Sequence, residues 1–351
     1  MRTAVALASV VTLTLTLTHA AALSAQSTVA GTPSASASPE LLEWAVPYGA
    51  DTRPRDPYAD AQGRVWFVGQ NGNYIAHLDT RSGQFKRYEI DAGTNPHNLV
   101  VEKGMVWFTG NRNNRLVRLD PATGKLTTFL IPDSTVRDPH TMIFDRKTGV
   151  AWFTAQNSGV VGRFEPTTGR FRIWRTGDGT KPYGIVLDSR GQPWFDLFGT
   201  NKLATIEPGS AQIKTFTIGT ERTRPRRIAI TSNDQIYWGD YSRGFVGHLD
   251  PRTGATEEWA MPAGGLALPY GMATDDRDVV WLSQNGQMNT PVTLVAFDTR
   301  AKTFGTPIPV GRPGPNTIRH MTFDAATRQI WFGTDQGTIG RVTIPPAPLV
   351  R

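Results

Sequence analysis

Two histidines stand in matching surroundings at different points of the chain. His97 lies in NPHNLVV and His140 in DPHTMIF, so each follows a proline and precedes an apolar run, and Asp138 stands two residues before His140. Two imidazoles and a carboxylate can bind a divalent metal, or act as a general base that the carboxylate orients. Both residues could instead cap strands without doing chemistry, and the sequence leaves the two interpretations open.

The two histidine motifs belong to a repeat that runs through most of the chain. Seven residue pairs, each of which begins with an aromatic residue, start at Trp66, Trp107, Trp152, Trp194, Tyr237, Trp281 and Trp331. The intervals between them are 41, 45, 42, 43, 44 and 50 residues. Each pair follows a short apolar run, in most repeats led by a proline, and precedes an alternating segment and, in most repeats, a further short strand. This pattern predicts an all-β, seven-bladed β-propeller of four-stranded blades, in which neighbouring blades bury each other's faces.

The seventh repeat stops early, and the N-terminal region supplies what it lacks. The last unit ends after its third strand, GTIGRVTI, while residues 40–47, ELLEWAVP, match the outer strand TEEWAMP of the fifth unit. We therefore predict that residues 40–47 form the outer strand of the last blade, beside residues 341–344, and close the ring. Deleting them should cost far more stability than deleting residues 26–38.

The N-terminus has the layout of a secretory signal peptide. Residues 1–25 carry one basic residue, an apolar core and small residues at the expected cleavage site. Residues 26–39 are rich in Ser, Ala and Pro. The apolar core is threonine-rich and shorter than the roughly 20 residues of a membrane span. We expect cleavage near residue 25, a linker over 26–39, one propeller domain over 40–351, and export to the periplasm or the exterior. The chain has no cysteine, so its core must supply its stability.

The basic charge of the chain points to a small anionic ligand. The formal charge is +7, and loss of Arg2 with the signal peptide would leave +6. The basic residues form no Lys and Arg run, which disfavours nucleic-acid binding. We expect a monomer with no membrane span after cleavage, whose partner is a small molecule with an anionic or ester group.

The first strand of each propeller blade lines the central channel, so the residues that open these strands should meet at one rim. Read around the ring, the first-tier positions are Arg55, His97, His140, Tyr183, Arg226, Tyr270 and Arg319. A second tier from the ends of the second strands reads Gln70, Asn111, Gln156, Phe198, Tyr241, Asn285 and Asp335. Neighbouring positions should lie on the order of 8 Å apart, which would let His97 and His140 reach one point. The field of such a funnel favours an anionic guest.

The repeats PYGIVLDSRGQPWF and RPRRIAITSNDQIYWGDYSRG, with the recurring WF and IGR or VGR elements, resemble the virginiamycin B lyase (streptogramin B lyase) family. The resemblance covers residues 40–345. It implies a seven-bladed, Mg²⁺-assisted lyase that linearises a cyclic depsipeptide by eliminating its ester. The family's chemistry lies on a histidine of the sixth PH element, a Glu-Pro-His of the seventh, and a glutamate after the seventh WF. Those places hold Tyr270, then Thr317 and Arg319, then Asp335 here, with His320 one residue further on.

Symmetry offers a rotated version of the family's site. NPH and DPH in the second and third repeats reproduce its PH followed by acid-Pro-His, although Gln156 stands where the last carboxylate would be. In that arrangement His97 and Asp138 would hold the metal and neutral His140 would take the α-proton of the substrate. Arg55, Tyr183, Arg226, Tyr270, Arg319, His320, Gln156 and Asp335 would bind the substrate.

Three functions remain open on sequence grounds. The first is a lyase that uses the funnel on a depsipeptide or a related ester. The second is a propeller that binds an anionic ligand or partner without turnover. The third is a lactonase-type hydrolase, which would need several Asp, Glu and Asn ligands to converge in the channel.

Overall fold

The computed structural model describes residues 39–49 and 51–345 of the chain. The predicted signal peptide (1–25) and nearly all of the predicted linker (26–39) lie outside this part. Within it, the secondary structure consists of β-strands and one 3₁₀ helix, Gly264–Leu266. None of the helices in these ranges has the length and apolar character that a membrane crossing requires. The prediction of an all-β chain is confirmed.

The strands form seven antiparallel sheets, which are the blades of the propeller. The first strand, β1, spans Glu40–Ala45. Blades 1 to 3 then contain β2 (Pro54–Ala59), β3 (Arg64–Gly69), β4 (Tyr74–Asp79), β5 (Phe85–Glu89), β6 (Pro96–Glu102), β7 (Met105–Gly110), β8 (Arg115–Leu119), β9 (Leu126–Leu130), β10 (Pro139–Asp145), β11 (Val150–Ala155), β12 (Val160–Glu165) and β13 (Arg170–Arg175).

The remaining blades continue the same order along the chain. Blades 4 and 5 contain β14 (Pro182–Leu187), β15 (Pro193–Leu197), β16 (Lys202–Ile206), β17 (Ile213–Thr217), β18 (Pro225–Ile230), β19 (Ile236–Asp240), β20 (Phe245–Leu249) and β21 (Thr256–Ala260). Blades 6 and 7 contain β22 (Met272–Thr274), β23 (Val279–Gln284), β24 (Val292–Asp298), β25 (Thr303–Phe304), β26 (Ile308–Val310), β27 (Ile318–Asp324), β28 (Gln329–Thr334) and β29 (Thr338–Thr343). Blade 6 has a divided outer strand, since β25 and β26 both pair with β24.

The N-terminal strand closes the ring as the sequence predicted. Strand β1 pairs antiparallel with β29, in register from Glu40 opposite Thr343 to Ala45 opposite Thr338. Blade 7 therefore takes three strands from the end of the domain and its outer strand from the beginning. The Glu43 carboxylate adds a side-chain contact to this seam by accepting a hydrogen bond of 2.7 Å from the Thr338 hydroxyl.

The hydrophobic core is divided among the junctions between blades. Within the described residues, each of seven apolar clusters joins two neighbouring blades, and the cluster of Phe67 and Trp331 joins blade 1 to blade 7. The recurring aromatic pairs supply much of it, and Trp66, Trp238 and Trp331 are fully buried. A four-stranded blade cannot bury both of its faces alone, so only the complete ring buries both faces of all seven blades.

The inner strands share an irregularity that shapes the channel. In six of the seven blades, the inner strand carries one more residue than the strand opposite, just after its opening position. A bulge of this kind breaks the alternation of side chains and re-aims the residue concerned. It allows consecutive residues, such as Arg226 and Arg227, both to reach residues of other blades across the channel.

Candidate functional site

The first-tier residues close the channel instead of lining an open rim. The repeat pattern predicts that they lie on the rim, but five of them are at most 4% exposed: Arg55, His97, His140, Tyr183 and Tyr270. Seven strand ends converge on a narrow axis, so long side chains fill the space between them. We call these five residues, with Asp56 and Arg227, the channel plug.

Arg227 holds the channel plug together across the axis. It belongs to blade 5, and its guanidinium donates to Thr141 Oγ1 of blade 3 at 2.9 Å and to the Arg319 carbonyl of blade 7 at 3.2 Å. Its Nη2 lies 3.8 Å from Asp56 Oδ2 of blade 1. The repeat pattern assigns one channel position to each inner strand, so it places neither Arg227 nor Asp56 in the channel.

The structure brings His97 and His140 together. Their ring centroids are 3.5 Å apart, and the His140 ring also lies 4.0 Å from the Tyr183 ring. His140 Nδ1 is 2.9 Å from Thr141 Oγ1. Burial, followed by the charge of nearby arginines, lowers the pKa of both histidines well below the ordinary value. Both imidazoles are therefore neutral near pH 7.

Asp138, the predicted third member of this cluster, serves a turn of its own blade. Its carboxylate accepts hydrogen bonds from the Asn157 amide at 2.5 Å and the Ser158 amide at 3.1 Å, and it also contacts the Ser158 hydroxyl. These bonds occupy both carboxylate oxygens and hold the loop that follows β11. If Asp138 bound a metal or oriented a histidine, the Asn157 and Ser158 amides of this turn would lose their hydrogen-bond acceptor.

Above the channel plug lies a second group of side chains, which we call the mouth: Arg53, Phe198, Arg226, Tyr241, Arg319 and Asp335. The Arg226 guanidinium lies 3.9 Å from the centre of the Tyr270 ring and 4.1 Å from that of Tyr241, with Phe198 at 5.0 Å. Within the described residues it forms no ion pair with a carboxylate. Stacking on ring faces stabilises a cation without supplying a carboxylate partner.

The predicted second tier is only partly free to bind a ligand. The Asp335 carboxylate pairs with the Arg319 guanidinium, with Arg319 Nε 3.0 Å from Oδ1, and lies 3.8 Å from Arg53 Nε. Gln70 accepts a hydrogen bond of 3.1 Å from the Arg55 guanidinium. Gln156 directly follows β11 and is half-buried. His320, also predicted to bind the substrate, lines cavities on the opposite side of the channel plug.

Comparison with known proteins decides the family. The model of the virginiamycin B lyase family matches residues 100–346, more than half of the chain. The chain belongs to the virginiamycin B lyase family. Among curated proteins, none matches this chain.

Solved structures of family members share the fold. A streptogramin B lyase superposes with a TM-score of 0.75 at 21% identity, covering 87% of this chain and 97% of its own. Selenomethionine-substituted virginiamycin B lyase from Staphylococcus aureus gives 0.76 at 21% identity, with coverages of 88% and 100%. A catalytically inactive histidine-to-alanine form of the S. aureus enzyme with quinupristin gives 0.76 at 22% identity and the same coverages.

The residues at the centre of this family member do not fit a divalent cation. Arg319 and Tyr270 occupy two of the places where the resemblance expects histidines, and Asp335 is already paired with Arg319. The described residues contain no group of three or more His, Asp or Glu side chains in position to share a metal ion. Guanidinium groups raise the local positive potential, which opposes a second cation. The metal stays a prediction that this geometry disfavours. In the part of the chain that the structure describes, the carboxylates do not converge as a lactonase would need.

Tyr270 has the most unusual electrostatic surroundings of the channel plug. Burial raises the pKa of its phenol, but Arg226, Arg55, Arg227 and Arg319 outweigh burial and lower that pKa to about 7. The Tyr183 hydroxyl contacts the Tyr270 hydroxyl, and burial beside Tyr270 raises the pKa of Tyr183 to about 12. Tyr183 can therefore donate a hydrogen bond to an ionised Tyr270 and stabilise it.

An ionised tyrosine gives a direct spectroscopic prediction. A pH titration of the folded protein should show one tyrosinate ultraviolet band appearing near pH 7, and Tyr270→Phe should remove that transition while Tyr241→Phe leaves it. The ionised phenol stabilises the fold fully above pH 10, the ordinary pKa, and this contribution is lost as the pH falls through 7. Appearance of all tyrosinate absorbance only above pH 9 would contradict the assignment.

Proposed function

We propose that this chain is an exported carbon-oxygen lyase that acts by elimination on an ester substrate with an anionic group. The observation that carries the proposal is the position of the Tyr270 ring 3.9 Å below the Arg226 guanidinium. Burial raises the pKa of the Tyr270 phenol, but Arg226 and the neighbouring arginines lower that pKa to about 7. A base and an adjacent positive charge are what removal of a proton next to a carbonyl requires. Tyr270 stands where the family resemblance expects a histidine.

The proposed step balances without a metal. The Tyr270 phenolate takes the proton from the carbon next to the substrate carbonyl, and the electron pair of that C–H bond forms an enolate. Arg226 and Arg319 offset the enolate charge. The enolate electrons form a carbon-carbon double bond as the bond from the neighbouring carbon to the ester oxygen breaks. The leaving group departs as a carboxylate, and Tyr270 returns its proton to water.

Substrate access sets a condition on Arg226. Tyr270 is 2% exposed, and the Arg226 guanidinium covers its ring. An anionic substrate group that pairs with Arg226 must draw this side chain away from the ring before Tyr270 can reach the substrate. The charge of the substrate therefore matters, because a neutral ester forms no ion pair that would draw Arg226 away from the ring.

Turnover of an ester that carries an anionic group provides the test. Open-chain β-acyloxy carboxylates would be incubated with the protein, and the masses of the products would be measured by mass spectrometry. Elimination breaks the ester without adding water and creates a double bond that absorbs in the ultraviolet, whereas hydrolysis adds one water. We expect EDTA to have no effect, Tyr270→Phe to lower kcat at least 100-fold, and Tyr241→Phe to retain activity. Loss of activity in EDTA, or a product that has gained water, would contradict the proposed mechanism.

A binding propeller without turnover is the second candidate. It is favoured by the burial of Tyr270, His97 and His140, all at most 4% exposed. It predicts that no ester is cleaved, while an anionic ligand binds with an affinity that falls with salt and is lost in Arg226→Ala. We also propose that the protein is exported, as the signal-like residues 1–25 suggest, and that it is a monomer. Cell fractionation would test export, and size-exclusion chromatography would test the monomeric state.

A further inference from the structure

The channel continues on the far side of the plug as two adjoining cavities. Their volumes are about 260 and 270 Å³, and they share Ile143, Ile185 and His320. Most of the remaining wall is aliphatic or contains Met, with Leu99, Val186, Ile228, Met272 and Met321 among its members. This space lies against the inner strands and is separate from the mouth, where Arg226 and Asp335 lie.

The closed end of this space carries polar atoms without partners. Arg227 lines one cavity, is 2% exposed, and its Nη2 makes no hydrogen bond. The 3.8 Å between Nη2 and Asp56 Oδ2 is an ion-pair distance, too long for a hydrogen bond. His320 Nδ1 is also buried without a partner, and burial followed by the charge of Arg227 lowers the pKa of His320 to about 4. A buried donor left unpaired is costly, so Arg227 Nη2 is suited to an acceptor that a ligand brings. His320 Nδ1 donates to the same acceptor in the tautomer that carries the proton on Nδ1.

We propose that these cavities bind a medium-chain carboxylic acid, with its carboxylate on Arg227 and His320 and its alkyl chain along the aliphatic wall. The carboxylate completes the hydrogen bonding of Arg227 Nη2 and adds an anion to a cluster rich in guanidinium groups. Arg226 and Arg227 are consecutive in sequence yet serve different compartments, because Arg226 stacks on aromatic rings of the mouth. The site therefore stands independently of the proposed lyase activity.

Octanoate is the probe for this site, measured with the complete protein by calorimetry and thermal shift. Octanoate should bind and raise the melting temperature, since a ligand specific for the native state stabilises it. Octan-1-ol, with the same chain and no charge, should bind at least tenfold more weakly, and octylamine should not bind. Equal binding of octanoate and octan-1-ol, or no binding of octanoate, would overturn the proposal.

Two variants locate the bound acid. Arg227→Met should weaken octanoate binding at least tenfold, while the neighbouring Arg226→Met should leave it within twofold of wild type. Should Arg227→Met fail to fold, Ile143→Trp provides the alternative, because Ile143 borders both cavities and is only half-buried. Its indole would fill the chain-binding space and abolish octanoate binding. Equal losses in the two arginine variants, or unchanged binding in Ile143→Trp, would place the acid elsewhere and contradict the proposal.

Discussion

A chain that lacks residues 40–47 should lose its cooperative thermal transition near the wild-type temperature and aggregate on heating. The deletion removes β1 and leaves β29 as an open edge at the one junction where the ring is closed. It also removes Trp44, which stacks on Trp331 at 5.8 Å and lies under the Arg341 guanidinium. Loss of a fully buried tryptophan costs about 3–5 kcal/mol, and the half-buried Trp44 should contribute less than that.

Differential scanning calorimetry would measure this effect against two matched controls. Deletion of residues 26–38, outside the described part of the chain, should leave the transition unchanged. Leu42→Ala changes a 38% exposed side chain of β1 and should cost under about 1 kcal/mol. Trp44→Ala should lie between the two deletions. Similar melting curves for both deletions would show that the ring does not depend on β1.

Asp56→Asn should destabilise the protein by about 3–5 kcal/mol, the usual result of breaking a buried ion pair on one side. Asp56 is 1% exposed, and it accepts hydrogen bonds from Arg55 Nε at 2.8 Å and Asn98 Nδ2 at 3.0 Å. The amide keeps nearly the same shape, and Asn tolerates the positive φ of 51° at this position. The substitution therefore removes the charge and leaves Arg55 and Arg227 without their shared carboxylate.

Chemical denaturation at several pH values would test this prediction. Burial raises the pKa of Asp56, but Arg55, His320 and Arg227 outweigh it and lower that pKa to about 2. Because the folded pKa lies below the ordinary 3.8, the stabilisation is fully present above pH 4 and is lost as the pH falls through 2. The difference in the free energy of unfolding between wild type and Asp56→Asn should thus be constant from pH 5 to 8. Asp298→Asn, at the exposed end of β24, should change stability by under about 0.5 kcal/mol. Equal stabilities of Asp56→Asn and wild type would mean that both guanidinium groups are satisfied without Asp56.

The sequence was sufficient to predict the architecture because each blade repeats the same local pattern. The aromatic pairs recur seven times, each with an alternating segment after it, so an error in one repeat is corrected by the others. The match of ELLEWAVP to TEEWAMP was sufficient to place β1 beside β29. The spacing of 50 residues before Trp331 corresponds to the divided outer strand of blade 6.

The interior of the channel could be predicted only in part. Alignment brought His97 and His140 together correctly, because equivalent positions of adjacent blades are neighbours in a ring. It could not show that Asp138 would turn toward Ser158, since that depends on the loop after β11. The bulge that sends Arg227 across the axis leaves no signal in a repeat pattern of period two.

Asp196 illustrates the same limit at a single position. Thr109, Thr154 and Ser283 occupy the equivalent place in other blades, and each donates its hydroxyl hydrogen to a carbonyl of the next inner strand. Asp196 instead accepts a hydrogen bond from the Gly184 amide, and burial raises its pKa well above the ordinary value. Burial therefore favours the protonated carboxyl at this position, which its residue type alone would not suggest.

Closure by β1 also determines when the molecule can complete its folding. Glu43 and Thr338 are 295 residues apart, so among the described residues the first strand must wait for the last to be synthesised. Bringing two segments so distant in sequence together costs about 5 kcal/mol in chain entropy. Only the completed pairing of β1 with β29 offsets this cost. Until then, the nascent polypeptide carries two unpaired edges. We expect its final step to be slow, to follow synthesis rather than accompany it, and to benefit from a holding chaperone.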